Sequence, residues 1–172
     1  LGVADPGGSG LGGFTYILIA PEGGKPVAVD GSTPAPRAAD PAALRAIRDS
    51  GAYYGHAAAS VPTTPAVLAH ALARFGTMEL AEVLAPAIEI AEQGFRLSSS
   101  NIAWTNAYLE EIRASESLRF IALADGAGPG LPGDRLCRPE LRQTLLRLAR
   151  EGVETFYEGA TAAETGADTA RH

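Results

Sequence analysis

The hydrophobic positions of the chain fall into two short runs near its start and into helical spacing after residue 40. Residues 14–20 form an apolar run of strand length, rich in aromatic and β-branched side chains, and residues 26–30 form a second run. The glycine-containing segment 21–25 separates them, and two such runs around a short turn predict a β-hairpin. A lone hairpin is marginally stable, so this one is expected to belong to a larger sheet.

From residue 40 onward, apolar side chains recur every three or four positions, which is typical of amphipathic helices. Asp40, just before a proline, is expected to cap the first helix, and Thr63 or Thr64 the second. Pro86 is expected to kink or divide the third helix. The predicted helices cover 41–49, 65–75, 78–93, 98–109, 139–150 and 161–171, with loops at 31–40, 51–60 and 125–133.

This order of elements predicts the α+β fold class, as a mostly helical fragment with one β-hairpin. The chain has 172 residues, 46% of them hydrophobic and 20% charged, which suits one globular domain and excludes a disordered chain. We expect a single partial domain over 1–172, with a glycine loop and the hairpin in 1–36 and a helical region in 40–172. No apolar run approaches the ~18 to 20 residues of a bilayer span, so no membrane span is predicted. No export signal is recognised either, which leaves the compartment open.

The charge of the chain argues against nucleic acid as a partner. Fourteen basic residues, with a single lysine among them, stand against twenty acidic ones, so the formal net charge is −6. The arginines are scattered singly, and no basic stripe could neutralise a phosphate backbone. The single cysteine and three isolated histidines have no zinc-binding spacing, so no metal or other cofactor is expected; these residues are Cys137, His56, His70 and His172.

Two motifs suggest chemistry that their contexts do not support. Gly8, Gly10 and Gly13 match the dinucleotide fingerprint G-x-G-x-x-G. That fingerprint needs a strand before it and a helix after it, whereas a strand is predicted to follow here. Thr63 and Thr64 could act as nucleophiles only beside a base, and no histidine is placed for this by sequence, so a helix cap is the favoured interpretation. The residues alone therefore predict no catalytic set.

Several long motifs, in the same order, resemble those of the γ-glutamyltransferase family. Residues 84–95 (LAPAIEIAEQGF) are similar to its PAI-x-LAE-x-GF signature, and residues 72–76 (LARFG) to the end of the preceding helix. Residues 139–159, from PELRQTL to FYEG, are similar to its P-x-LA-x-TL…G…FY-x-G stretch. Residues 10–14 (GLGGF) are similar to its glycine loop and the strand that follows. The resemblance covers nearly the whole chain.

The resemblance implies an N-terminal-nucleophile hydrolase, with the hairpin in the central sheets of an αββα sandwich. In that family a precursor cleaves itself ahead of a threonine, whose hydroxyl then attacks the γ-glutamyl amide. The α-amine of this threonine, with an ordinary pKa of about 7.7–8.0, can act as the base without metal or cofactor. We therefore expect an internal fragment of the large subunit, inactive alone, with the catalytic threonine outside it. The implied partners are a small-molecule γ-glutamyl or other amide substrate and the small subunit or remaining chain.

One substrate-binding motif of the family falls within the chain. Its D-F-R-E-x-AP motif supplies an arginine for the substrate α-carboxylate, and residues 30–36 (DGSTPAP) match that position. Ser32 stands where the arginine belongs and lacks its charged, bidentate guanidinium. Arg37 could partly replace it if the loop folds back. Ser32 and Arg37 are thus the predicted substrate-binding residues, no catalytic residue is assigned, and a divergent amide hydrolase is favoured over a glutathione-specific transpeptidase.

Other functions stay open on the sequence alone. The chain could be a non-catalytic helical module that keeps the same scaffold and binds a partner through the apolar hairpin edge. A third and weaker alternative is a small-molecule binding domain that uses the glycine loop. A threonine-led segment downstream in the gene would favour the enzyme, and a stop codon soon after His172 would favour the partner-binding module.

Overall fold

The computed structural model describes residues 1–37, 39–51, 58–123 and 128–169. Its elements in chain order are β1 (Ile17–Ile19), β2 (Val27–Val29), α1 (Pro41–Ser50), α2 (Thr64–Phe75), α3 (Leu80–Gln93), β3 (Phe95–Arg96), α4 (Ser99–Ala107), α5 (Leu109–Ala114), α6 (Glu116–Ala122), β4 (Arg135–Leu136), α7 (Pro139–Glu151), α8 (Glu154–Glu158) and α9 (Ala160–Thr169). Helices dominate the described residues, beside two small antiparallel sheets. The predicted α+β class is confirmed.

The predicted hairpin is present, with shorter strands than the apolar runs that predicted it. β1 and β2 pair antiparallel, with Ile17 opposite Val29 and Ile19 opposite Val27. Side chains alternate across the pleat of β1, so both isoleucines are half-buried while the residues between and before them are exposed. The outward face carries large apolar side chains that are 59%, 61% and 76% exposed, namely Phe14, Tyr16 and Leu18.

The chain divides into two compact units, each built from two separate stretches. Unit 1 consists of Leu1–Gly10 and Ala81–Arg150, and unit 2 of Leu11–Leu80 and Glu151–His172. The hairpin, α1 and α2 belong to unit 2, together with α8 and α9. The expected division into 1–36 and 40–172 stays a prediction.

The core of unit 1 is assembled from its first residues and its helices. A second sheet lies here, in which Phe95 of β3 pairs with Leu136 of β4. Gly94 makes the entry to β3 with a left-handed φ of 78°, and a Cβ at this position would lie 2.9 Å from the carbonyl oxygen of Leu136. This sheet was not predicted because strands of two residues are too short to show alternation. The buried apolar residues of unit 1 are Val3, Ala91, Leu97, Ile112, Leu123, Leu136, Leu145 and Leu148.

In unit 2 the amino-terminal end of α2 is held by residues distant in sequence. The Gly13 carbonyl accepts hydrogen bonds from the backbone N–H groups of Thr63 and Thr64, at 3.0 and 3.2 Å. The Ala66 N–H donates to the Tyr157 hydroxyl at 3.1 Å, which satisfies a helix-end donor that has no partner within the helix. Partial burial raises the pKa of Tyr157 above its ordinary value, so the phenol keeps its own proton while it accepts this bond.

Two predicted helix starts have different outcomes. Asp40 caps α1 as expected, since its Oδ1 accepts from the Ala42 N–H at 2.9 Å. Thr63 occupies the N-cap position of α2, as one of the two expected threonines, but its side chain makes no capping hydrogen bond. Its hydroxyl donates to the Gly31 carbonyl instead, and the backbone contacts to Gly13 satisfy the helix end.

Other helices differ from the prediction in length or continuity. α3 begins at Leu80 and continues through Pro86, so the expected division at that proline is absent. The helix predicted over 98–109 is broken at Tyr108, and α5 and α6 follow it as separate short helices. Residues 38, 52–57, 124–127 and 170–172, which include His56 and His172, lie outside the described residues. Across the described ranges, no helix combines the length and apolar composition needed to cross a bilayer.

Candidate substrate site

The turn that follows β2 brings three polar side chains together at the base of the hairpin. Asp30 accepts two hydrogen bonds at Oδ1, from the Ser32 backbone N–H at 2.8 Å and from the Ser32 hydroxyl at 2.6 Å. This is an Asx turn, in which a carboxylate folds back onto the backbone two residues later. It fixes the position of Ser32, which is one of the two predicted substrate-binding residues.

Tyr16, which directly precedes β1, completes the arrangement. Its hydroxyl lies 3.0 Å from Ser32 Oγ. Because the single hydroxyl proton of Ser32 is donated to Asp30, Tyr16 is the donor in this contact and Ser32 the acceptor. The hydrogen bonds therefore run in one direction, from Tyr16 through Ser32 to Asp30. We call these three residues, all exposed, the Asp30 cluster.

The charge of the Asp30 cluster is that of a carboxylate. The Ser32 hydroxyl, and then the Ser32 backbone N–H, lower the pKa of Asp30 below its ordinary value because both donate to the ionised form. Asp30 is thus negatively charged at neutral pH. Among the described residues, Ser32 is its hydrogen-bonding partner and no arginine or lysine forms an ion pair with it.

Arg37, the other predicted binding residue, lies outside this cluster. It is exposed in a turn closed by a hydrogen bond from the Ala39 N–H to the Pro36 carbonyl at 3.0 Å. Within the described residues, its guanidinium forms no hydrogen bond or ion pair, with Ser32 or with any other residue. The structure brings Ser32 together with Tyr16 and Asp30, and it does not bring Ser32 into contact with Arg37.

The backbone beneath the cluster is packed tightly against α2. Gly31 is buried, and a Cβ there would collide with the Thr15 carbonyl oxygen and lie 2.6 Å from Cγ2 of Val67. The hydroxyl of Thr15 pairs with that of Thr64 at 2.8 Å. The loop that carries Ser32 is therefore supported by a helix rather than left free.

Tyr16 is the member of the cluster that the sequence prediction missed, although a signal for it existed. If segment 21–25 forms the turn, its flanking residues 20 and 26 lie opposite each other, and the same count places Tyr16 opposite Asp30. The observed register, with Ile17 opposite Val29, agrees with that count. A phenol opposite Asp30 can reach the residue two positions further along, which is Ser32.

The threonines and histidines considered as catalytic groups form no such set where the structure describes them. The hydroxyls of Thr63 and Thr64 contact the Gly31 carbonyl and the Thr15 hydroxyl, and neither contacts an imidazole or a carboxylate. His70 is exposed on α2. In the same part of the chain, no three His, Cys, Asp or Glu side chains are grouped as metal ligands would be.

Unit 1 holds a separate cavity of about 170 Å³ next to Trp104. The Asn101 side chain on its wall is already engaged, since its oxygen accepts from Ser98 and its nitrogen donates to the Ala4 carbonyl at 3.1 Å.

The α+β fold of the described residues, with its helices and two small antiparallel sheets, is that of an N-terminal-nucleophile hydrolase, as the solved relatives confirm. The sequence profile described as Gamma-glutamyltranspeptidase matches residues 1–172, and the chain belongs to this family. It is similar to the oxamate amidohydrolase proenzyme of Klebsiella pneumoniae, with 34% identity over 94% of this chain and 31% of the relative. It is also similar to the acylase ACY 1 proenzyme of Pseudomonas sp. strain V22, with 35% identity over 92% of this chain and 30% of the relative.

Its structure is similar to that of Helicobacter pylori γ-glutamyltranspeptidase. The TM-score is 0.90 at 26% sequence identity, over 98% of this chain and 49% of that chain. The family inferred from the sequence motifs is confirmed, and its members are hydrolases and transferases. The chain spans less than a third of the length of the two proenzymes it matches.

Proposed function

We propose that the chain is the large-subunit part of a γ-glutamyltransferase-like amide hydrolase or acyltransferase that acts on γ-glutamyl or related acyl amides. The observation that carries the proposal is the family match along all 172 residues. The proposal assigns the threonine nucleophile to polypeptide outside these residues. This is supported by the 31% and 30% of the proenzymes that the chain spans, and by the hydroxyls of Thr63 and Thr64, which pair with a backbone carbonyl and another hydroxyl rather than with a base.

The proposed reaction needs no group beyond the threonine and its own amine. The threonine hydroxyl adds to the acyl carbon while the α-amine takes its proton. The amide C–N bond then breaks, the proton passes to the leaving amine, and the acyl group stays on the threonine as an ester. Attack by water breaks the ester C–O bond, returns a proton to the threonine hydroxyl and releases a carboxylic acid, whereas attack by an amine breaks the same bond and transfers the acyl group to that amine. In this scheme Ser32 and Arg37 bind the acyl group at a distance from the reacting carbonyl.

The remaining polypeptide of the same protein, including the small subunit, is proposed to cover the outward face of β1. Phe14, Tyr16 and Leu18 present adjoining apolar surface there, and such surface usually marks an interface. The chain corresponds to 49% of the Helicobacter pylori chain, so a protein of that length has polypeptide left to fill this role.

The proposal is tested by assaying release of 4-nitroaniline from γ-glutamyl-4-nitroanilide and from simple acyl nitroanilides. The intact protein, expressed from the whole gene, is expected to cleave itself into two subunits and to release nitroaniline. The 172-residue chain alone is expected to release none. His70→Ala in the intact protein is the control, because His70 is exposed and has no part in the scheme. Enzyme-like rates from the chain alone would contradict the proposal.

A second candidate is a non-catalytic module that binds a partner. One observation favours it, namely the exposed apolar face of β1. It predicts an intact protein that neither cleaves itself nor releases nitroaniline from any of these substrates. A gene without a threonine-led segment after this chain would support that candidate.

A further inference from the structure

We infer that the Asp30 cluster selects acyl groups that carry no carboxylate where they meet it, and that it prefers an ammonium or a neutral hydrogen-bond donor there. The inference rests on the proposed function, since it takes the turn at Asp30 and Ser32 as part of the acyl-binding wall. It goes beyond that function by naming the substrate class.

The hydroxyl protons of Ser32 and Tyr16 decide whether the cluster can bind a carboxylate. A site that binds a carboxylate needs donors aimed at it. Ser32 Oγ donates to Asp30 at 2.6 Å, and Tyr16 donates to Ser32 at 3.0 Å. Both hydroxyl protons are therefore in use within the cluster. Neither can be offered to a carboxylate of the substrate unless an existing hydrogen bond breaks.

The carboxylate of Asp30 gives the cluster a negative charge. Asp30 accepts both bonds at Oδ1, and the carboxylate is exposed with Oδ2 making no hydrogen bond among the described residues. A substrate carboxylate next to it would be repelled, whereas an ammonium or an amide N–H would gain a strong acceptor. At contact distance in water, one such charge changes affinity by about fivefold.

The cation nearest to Ser32 in sequence leaves the charge of Asp30 in place. Arg37 is five positions beyond Ser32, and its guanidinium neither pairs with Asp30 nor contacts Ser32 within the described residues. The carboxylate is thus not neutralised from its own loop. Where the family motif has an arginine to hold a carboxylate, this chain presents an acceptor and a negative charge.

The experiment compares two substrates that differ in one group. γ-Glutamyl-4-nitroanilide carries an α-amine and an α-carboxylate, whereas 4-aminobutyryl-4-nitroanilide keeps the amine and lacks the carboxylate. The intact protein is expected to have a kcat/KM about fivefold or more higher for the second substrate. A higher kcat/KM for γ-glutamyl-4-nitroanilide would overturn the inference.

Asp30→Asn isolates the charge, because the asparagine oxygen still accepts from the Ser32 N–H and preserves the turn. It is expected to reduce the preference for 4-aminobutyryl-4-nitroanilide about fivefold. Glu22→Gln is the matched control, since Glu22 is an exposed acid at the other end of the hairpin. An unchanged preference in Asp30→Asn, with thermal unfolding like that of the control, would overturn the inference.

A binding measurement separates this inference from the proposed function. If the intact protein hydrolyses neither anilide, the proposed function fails, and calorimetry with glutamate and 4-aminobutyrate still tests the site. Tighter binding of 4-aminobutyrate that weakens about fivefold in Asp30→Asn supports the inference. Tighter binding of glutamate, or binding of neither acid, overturns it.

Discussion

Gly31 is the residue on which the candidate site depends most directly. It lies between Asp30 and Ser32, is buried, and has the Thr15 carbonyl and the Val67 side chain where a Cβ would stand. Its φ is not positive, so the requirement for glycine is one of space and not of backbone conformation. Any larger residue has to push β1 and α2 away from the loop.

Gly31→Ala is therefore expected to destabilise the intact protein by about 1–3 kcal/mol, the usual cost of inserting a methyl group into packed structure. Gly12→Ala is the matched control, because a Cβ at Gly12 meets no atom within 4 Å. The free energies of unfolding of both variants, from denaturant titration, check the prediction. Equal free energies of unfolding for the two variants would contradict the prediction, because β1 and α2 would then move away from a methyl group at residue 31 at no cost.

At the scale of elements, α4 illustrates how one short helix organises its surroundings. Ser98 and Asn101 form a capping box, in which Ser98 Oγ accepts from the Asn101 N–H at 3.1 Å and Asn101 Oδ1 accepts from the Ser98 N–H at 2.9 Å. The Asn101 amide nitrogen also donates to the Ala4 carbonyl. One side chain thus both starts the helix and anchors the first segment of unit 1.

Asn101→Ala is expected to lower the free energy of unfolding by about 1–2 kcal/mol, since it removes half of the capping box and the bond to Ala4. Asn106→Ala, at an exposed position of the same helix, is expected to change it by less than about 0.5 kcal/mol. Thermal unfolding compares the two variants. Proteolysis near residues 1–10 should accelerate in Asn101→Ala, and equal rates in both would contradict the anchoring role.

The longer an element is, the more closely the sequence predicted it. α2, α3 and α7 show three or more turns of apolar spacing, and each lies within two residues of its prediction. β3, β4 and α8 have two to five residues, too few for any period to appear, and they were missed. β3 and β4 form because each completes the backbone hydrogen bonds of the other, a pairing that local sequence does not report.

The candidate site was predictable to a similar extent. Ser32 was identified only through the family motif, because an exposed serine after a strand has no distinguishing pattern of its own. Tyr16 was within reach of the hairpin register, as argued above. The isolation of Arg37 from Ser32 was not predictable, because it depends on how residues 33–37 turn and no periodicity constrains an irregular loop.

At the scale of the whole molecule, the outward face of β1 tests whether further polypeptide of the same protein packs on this chain. Leu18→Asp in the intact protein is expected to lower the free energy of unfolding by about 2–4 kcal/mol, because it would bury an unpaired charge in that interface. Leu131→Asp is the control, since Leu131 is 70% exposed against 76% for Leu18 but has no apolar strand beside it. Denaturant titration measures the free energy of unfolding of both variants. If Leu18→Asp leaves it unchanged, no further polypeptide packs on the outward face of β1.

The interleaving of the two units has a consequence for how the polypeptide acquires its structure on the ribosome. Residues 11–80 are translated before residues 81–150, yet Tyr157, whose hydroxyl accepts from the Ala66 N–H, is translated only after them. At ~5–20 residues per second, Ala66 waits roughly 5–18 s for that partner. During this interval the exposed β1 side chains are free to associate with other nascent chains, so synthesis rate and chaperone supply should govern the yield of this protein more than its final stability does.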